Sequence, residues 1–248
     1  MHIPDGFLAV NTWAPTWLIS IGGLGYCVKK ASRILRERAI PLMGVMAAFI
    51  FVAQMLNFPV MGGTSGHLIG SVLAAVLLGP YAAAVVIAVV LIAQCLIFQD
   101  GGLTSLGANI LNMSLMGSLG GYLIYNIIRR FVSGFKGMIA GAAVASWASV
   151  VIAACACAVE LAISGTTPLS VAFPAMAFVH AVIGIAEALI TCMILAFIFK
   201  VRPDLIYDGQ ARSIGKIGIV FALAVILILL VLSRFASKLP DGLERVLK

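Results

Sequence analysis

Three histidines occur in the chain, and two of them sit where their chemistry could combine: His2 and His67. A histidine at position 2 can chelate a metal through three nitrogens. These are the α-amine of Met1, the backbone amide nitrogen of His2 and Nδ1 of its own imidazole, which close five- and six-membered rings in one plane. Met1 is expected to be retained, because its removal generally needs a small second residue. The chain is also expected to be used with no leader, since a secretory signal opens on a positive stretch and here the first Lys or Arg is Lys29. The chelate lacks a fourth nitrogen, and His67, which ends NFPVMGGTSGH, could supply it. Square-planar nitrogen coordination points to Ni(II) or Cu(II) rather than zinc, calcium or magnesium. The metal must displace protons from the amine and the amide, so binding should weaken in acid. The plainer alternatives are an accidental position-2 histidine, a surface-loop His67 and a simple glycine turn in MGGTSGH.

Further polar residues fall near these. The stretch QDGGLTSLGANILNMS carries Gln99, Asp100, Thr104, Ser105, Asn109, Asn112 and Ser114. Asn109 and Asn112 are three apart and share a helix face. They read either as groups that orient metal ligands by hydrogen bonds or as helix-packing hydrogen bonds. Asp5, Thr64 and Ser65 complete the set expected to support or cover the ligands. The connections Asn57–His67 and Gln99–Ser105 are the expected covers, closing over an N-terminal segment that is exposed before capture. His180 and Glu187, seven apart, read as a buried pair joining helices or as an ion path. Glu160 is expected to reach the membrane interface. The five cysteines all lie in or beside apolar windows, which suits helix packing better than a disulfide framework.

Composition says what must position these residues. The chain has 248 residues, 62% hydrophobic and 10% charged, against roughly half and a quarter for a soluble domain. Apolar windows of about bilayer-spanning length fall at Val10–Val28, Ala39–Leu56, Leu68–Leu78, Ala82–Phe98, Leu106–Ile128, Met138–Ile163, Phe173–Phe199 and Ile217–Leu232. The third is short and should pair tightly with the fourth around Gly79-Pro80. Period-two alternation is absent, which argues against a membrane barrel. The expected fold class is therefore all-α, a polytopic integral membrane helix bundle.

The net charge of +7 is read as topology, not as a nucleic-acid footprint. Twelve of the sixteen basic residues follow windows one, five and seven, and the remaining four lie in the tail. The connections Asn57–His67, Gln99–Ser105 and Ser164–Ala172 have none. This pattern puts the first three clusters in the cytoplasm and the N-terminus outside. No Walker A loop is present: GQARSIGKIG has five residues between its glycines where four are required, so an ATPase would be another chain. An intramembrane hydrolase using Ser65 or Ser114 with a histidine lacks a nucleophile motif. A self-sufficient channel or secondary transporter would suggest internal repeats, and no convincing one is seen.

Three segments, MHIPDGFL, MGGTSGHLIG and FVHAVIGIAEALIT, closely resemble the nickel/cobalt membrane components NikM and CbiM. These are substrate-binding (S) subunits of energy-coupling-factor ABC transporters. The resemblance runs over about Met1–Tyr207. The tail LPDGLERVLK resembles the PDGLE segment of the small NikN/CbiN partner, here without that partner's second membrane helix. The resemblance implies a division into a metal-binding membrane domain at 1–212 and a NikN/CbiN-like helix with its tail at 213–248. It implies a six-helix S-component core with an additional N-terminal helix, and an eighth helix at the C-terminus. It implies a metal site of Met1, His2 and His67, and high-affinity uptake of Ni(II) or Co(II) with no catalytic cofactor. The implied partners are a transmembrane coupling subunit and cytoplasmic ATPases. Gly44 and Ala48 on window two are candidate contacts for the coupling subunit.

Overall fold

The computed structural model describes residues 1–34, 40–55, 58–60 and 64–207. The expected unit at 213–248, including the eighth window, lies outside the described residues.

The helices follow the apolar windows. They are α1 (Val10–Ile34), α2 (Ile40–Met55), α3 (Ser71–Leu78), α4 (Pro80–Ala93), α5 (Leu106–Asn109), α6 (Gly121–Phe131), α7 (Gly134–Ile163) and α8 (Leu169–Val201). A π-helical turn at Gln94–Phe98 extends α4, and an eleven-residue π-helical stretch at Ile110–Gly120 joins α5 to α6 without a break. The described protein is thus predominantly helical, with α4 through its π turn, α7 and α8 each long and apolar enough to cross a membrane. One departure from the all-α expectation is a short antiparallel hairpin, β1 (Phe58–Val60) with β2 (Thr64–Gly66), in which Pro59 pairs with Ser65 and Val60 with Thr64. The segment expected to be a loop lid therefore carries strand pairing at Thr64 and Ser65.

α3 holds the centre. It is apolar all round, and a helix with no polar face must be covered on every side; all eight residues are buried. At about 12 Å it is too short to span a bilayer. It stops at Gly79, whose φ of +83° only glycine adopts freely, and Pro80 opens α4. Tyr207 seals this corner, its amide donating to Val76 and its ring packed on Gly79. The break expected at Gly79-Pro80 is where the structure turns.

α7 and α8 pack through small residues. Gly184 lies where an added Cβ would come within 3.0 Å of Trp147, and Trp147 Nε1 donates to the Ala181 carbonyl. Glu160 does not reach for the interface. It is buried, and its carboxylate accepts a hydrogen bond from Asn112 at 2.8 Å.

Chain direction sorts the charges. Lys29, Lys30 and Arg33 end α1, Arg129 and Arg130 end α6, Lys136 begins α7, and Lys200 and Arg202 follow down α8. All lie at the end of the bundle away from Met1.

Candidate metal centre

Residues 1–9 precede α1 and are docked into the bundle, with only Asp5 and Gly6 exposed. Met1 and His2 are buried and Ile3 is fully so. Proline at position 4 and glycine at position 6 keep this stretch out of helix, leaving its main-chain groups to bond elsewhere. The partners come from the connection that follows α4 and from α5. Ile3 C=O accepts from Gly102 N–H at 2.8 Å. Asn109 Oδ1 accepts from Ile3 N–H at 2.9 Å, and its Nδ2 donates to Ile3 C=O. Ser105 donates to Pro4 C=O, and Thr166, before α8, donates to Phe7 C=O.

Asp5 anchors the other side. Its carboxylate accepts from the Thr104 hydroxyl and from the Leu103 and Thr104 amides. The Thr104 hydroxyl is the main reason its pKa is held below the ordinary value, with the amides adding to the effect and burial opposing it.

This docking brings the three candidate ligands together. The Met1 α-amine donates to His67 Nε2 at 3.3 Å. The His2 and His67 rings stack with centroids 5.1 Å apart and planes tilted by 31°. Since an ammonium can only donate, His67 offers the lone pair on Nε2, and its Nδ1 faces the Leu68 carbonyl at 3.4 Å. His2 is flanked by Gln94 Oε1, 3.1 Å from Nε2, and by Asp100 Oδ1, 3.4 Å from Nδ1. Among the described residues no three His, Cys, Asp or Glu side chains form a metal-binding group. Any metal held here would depend on main-chain nitrogen as well as imidazole.

His67 is positioned from below by α3. Four residues after it the helix begins, and two of the three amides between, Ile69 and Gly70, donate to the buried Glu187 carboxylate at 2.6 and 2.9 Å. Gln54 of α2 donates to the Ile69 carbonyl at 2.8 Å. Glu187 thus fastens the His67 segment to α8, whereas His180 turns Nδ1 to the Met176 carbonyl of its own helix. Both oxygens of the Glu187 carboxylate accept from backbone amides.

Of the expected supporting residues, Asp5 and Asn109 grip the N-terminal segment or its neighbour. Asn112 bonds Glu160 of α7 instead, the packing alternative for that residue. Thr64 and Ser65 pair through their backbone in the hairpin. Ser114 Oγ donates to the Ala84 carbonyl at 2.6 Å in the interior, which suits packing and not a nucleophile. Gln94, Gln54 and the role of Glu187 were not anticipated. Gln94 sits inside an apolar window where only its polarity stood out, and its partner His2 is 92 residues away in sequence.

The CbiM family, described as "Cobalt uptake substrate-specific transmembrane region", matches residues 2–205. A protein of Archaeoglobus fulgidus provisionally called a fused nickel transport protein, NikMN, is 41% identical over 91% of this chain and 74% of its own length. The "Fused nickel transport protein NikMN" of Rhodobacter capsulatus is 38% identical over 86% of this chain and 66% of its own. A crystal structure described as a truncated transition metal transporter superposes with a TM-score of 0.74 at 34% identity, covering 81% of this chain and 99% of that one. These relatives are metal transport proteins, not enzymes.

Proposed function

The chain belongs to the CbiM family, and from that membership we propose that it captures Ni(II) or Co(II) and serves as the substrate-specific subunit of an energy-coupling-factor transporter. The ligands are the Met1 α-amine, the His2 amide nitrogen, His2 Nδ1 and His67 Nε2. The observation that carries this reading is the 3.3 Å approach of the Met1 amine to His67 Nε2 beside the His2 ring. In a square of nitrogens, His67 stands opposite the His2 amide and next to the amine. With metal–nitrogen bonds of about 2.0 Å, neighbouring corners lie roughly 2.8 Å apart. The observed separation needs only a few tenths of an ångström of closure.

The metal is cargo. This chain's part is to hold four nitrogens in one plane, to keep Met1 and His2 out of bulk water, and to supply a nearby carboxylate, Asp100, against the cation's charge. The N-terminus faces outside, and the basic ends of α1, α6 and α8 face the cytoplasm, consistent with their common position away from Met1. A transmembrane coupling subunit and cytoplasmic ATPases provide the energy for inward release. Residues 213–248 act as a fused NikN/CbiN-like helix.

The test is metal content and titration of purified protein beginning at Met1, next to a version with one glycine inserted between Met1 and His2. About one Ni(II) per chain, with the weak d–d absorption of a square-planar site, is expected for the first and none for the second. Equal binding by both would overturn the amine–amide–imidazole site.

A further inference from the structure

We propose that Gln94 is a positioning residue that fixes which nitrogen of His2 meets the metal; this rests on the reading that His2 is a ligand. Gln94 opens the π-helical turn that ends α4 and is fully buried. Its Oε1 lies 3.1 Å from His2 Nε2. Amide and carboxylate oxygens both accept, but Gln94 Oε1 is the nearer, at 3.1 Å against 3.4 Å for Asp100 Oδ1 on Nδ1, so a single ring hydrogen belongs on Nε2. A neutral imidazole with its hydrogen there carries its free lone pair on Nδ1. Nδ1 is the nitrogen close enough to its own backbone amide to close a six-membered chelate ring, whereas Nε2 lies on the far side of the ring.

Two further features favour this role over packing. Gln94 Nε2 is buried with no hydrogen-bond partner among the described residues. An apolar side chain would fill the space without an orphaned donor, so what the amide contributes is its oxygen. The π turn also brings a second group to the same histidine. It runs into Gln99, in the left-handed region at φ 56°, and the chain then turns so that Asp100 faces His2 Nδ1 and Gly101 packs on the His2 Cβ. One local distortion of α4 thus sets groups against both nitrogens of one ring, which fits the frequent placement of π turns at functional sites.

Four proteins with Met1 as their first residue decide it: wild type, Gln94→Glu, Gln94→Met and His2→Ala, each titrated with Ni(II) and followed by absorption. Gln94→Glu keeps an acceptor and should stay within a few-fold of wild type. Gln94→Met removes the acceptor at similar volume and should weaken binding by about 10–100-fold, the usual range for losing a partner of a metal-bound histidine, with a shifted d–d band. Nitrogen NMR of labelled histidine in the wild-type protein without added metal gives a readout independent of any variant's folding. It should show His2 with a hydrogen-bonded proton on Nε2. Wild-type affinity in Gln94→Met, equal weakening in Gln94→Glu and Gln94→Met, or a His2 ring with Nε2 bare would each overturn the inference. If His2→Ala binds Ni(II) as wild type does, the metal site itself fails and the inference with it. If His2→Ala abolishes binding while Gln94→Met does not change it, the inference about Gln94 alone fails.

Discussion

Asn109 holds both main-chain polar groups of Ile3, accepting from its N–H at 2.9 Å and donating to its C=O at 3.3 Å. This two-point contact lies one residue from His2 and joins the start of the chain to α5. A buried hydrogen bond contributes about 0.5–1.5 kcal/mol net, so the pair contributes about 1–3 kcal/mol to docking. Asn109→Ala should therefore weaken Ni(II) binding by roughly 5–150-fold. Hydrogen exchange at Ile3 should accelerate. A calorimetric titration equal to wild type would show that docking does not limit capture.

Glu187 acts on the segment that carries His67, the other proposed ligand. Its carboxylate takes the Ile69 and Gly70 amides and so fixes the entry to α3, four residues beyond His67. Buried hydrogen bonds contribute about 0.5–1.5 kcal/mol each, and orphaning the two buried donors costs about 1–3 kcal/mol each. Glu187→Ala should lower the melting temperature markedly and weaken metal binding, because the whole of buried α3 is involved. Glu187→Gln, which retains one acceptor oxygen but points an amide donor at the other N–H, should fall between. A variant with unchanged melting and unchanged affinity would remove Glu187 from any structural account of the site.

The difference between what the sequence revealed and what it concealed follows from the range of the contacts. Windows rich in Val, Ile, Leu and Ala announce helices by composition alone, and Gly79-Pro80 marks a break by local backbone rules. The position-2 chelate could be proposed for the same reason: its three nitrogens belong to adjacent residues. The partners of those residues were not. Gln94 and Glu187 sit inside apolar helices, and what each touches depends on how α4 and α8 pack, which no spacing encodes. Asn109 and Asn112 illustrate the limit directly. Their three-residue spacing predicted one face and one role, yet Asn109 serves the N-terminal segment and Asn112 serves Glu160. The hairpin at Phe58–Gly66 was hidden by its three-residue strands, too short to show alternation.

Docking of the N-terminal segment should depend on pH through Asp5. Its folded-state pKa lies below the ordinary 3.8, chiefly because the Thr104 hydroxyl donates to it. The sign follows: a depressed carboxylate stabilises the docked form fully above the unfolded value and loses that contribution as pH falls through the folded one. Between pH 5 and 7, amide exchange at Leu103 and Thr104 should be slower in wild type than in Asp5→Asn. The gap should close below about pH 3.8. A gap that persisted unchanged at the acid end would mean the carboxylate's charge plays no part in docking.

Gly102 tests docking without removing any polar group. A Cβ added there would lie 2.2 Å from the Asp5 backbone nitrogen and 2.6 Å from the Pro4 carbonyl carbon, far inside contact distance. These are main-chain atoms, so no side-chain rotation relieves the clash; the N-terminal segment must lift from the loop after α4. The Gly102 N–H to Ile3 C=O bond would be lost with it. Gly102→Ala should therefore weaken Ni(II) binding at least tenfold, about 1.4 kcal/mol. The helices are anchored elsewhere, through the burial of α3 and the packing of α7 on α8, so the melting temperature should shift far less than in Glu187→Ala. Gly6→Ala makes the control, because its φ of +85° disfavours alanine although nothing lies within 4 Å of the added carbon. Strain alone should cost it about 1–2 kcal/mol in local docking, without the steric eviction at Gly102. Wild-type binding in Gly102→Ala, measured by the same titration, would show that His2 reaches the metal by a segment free of this contact.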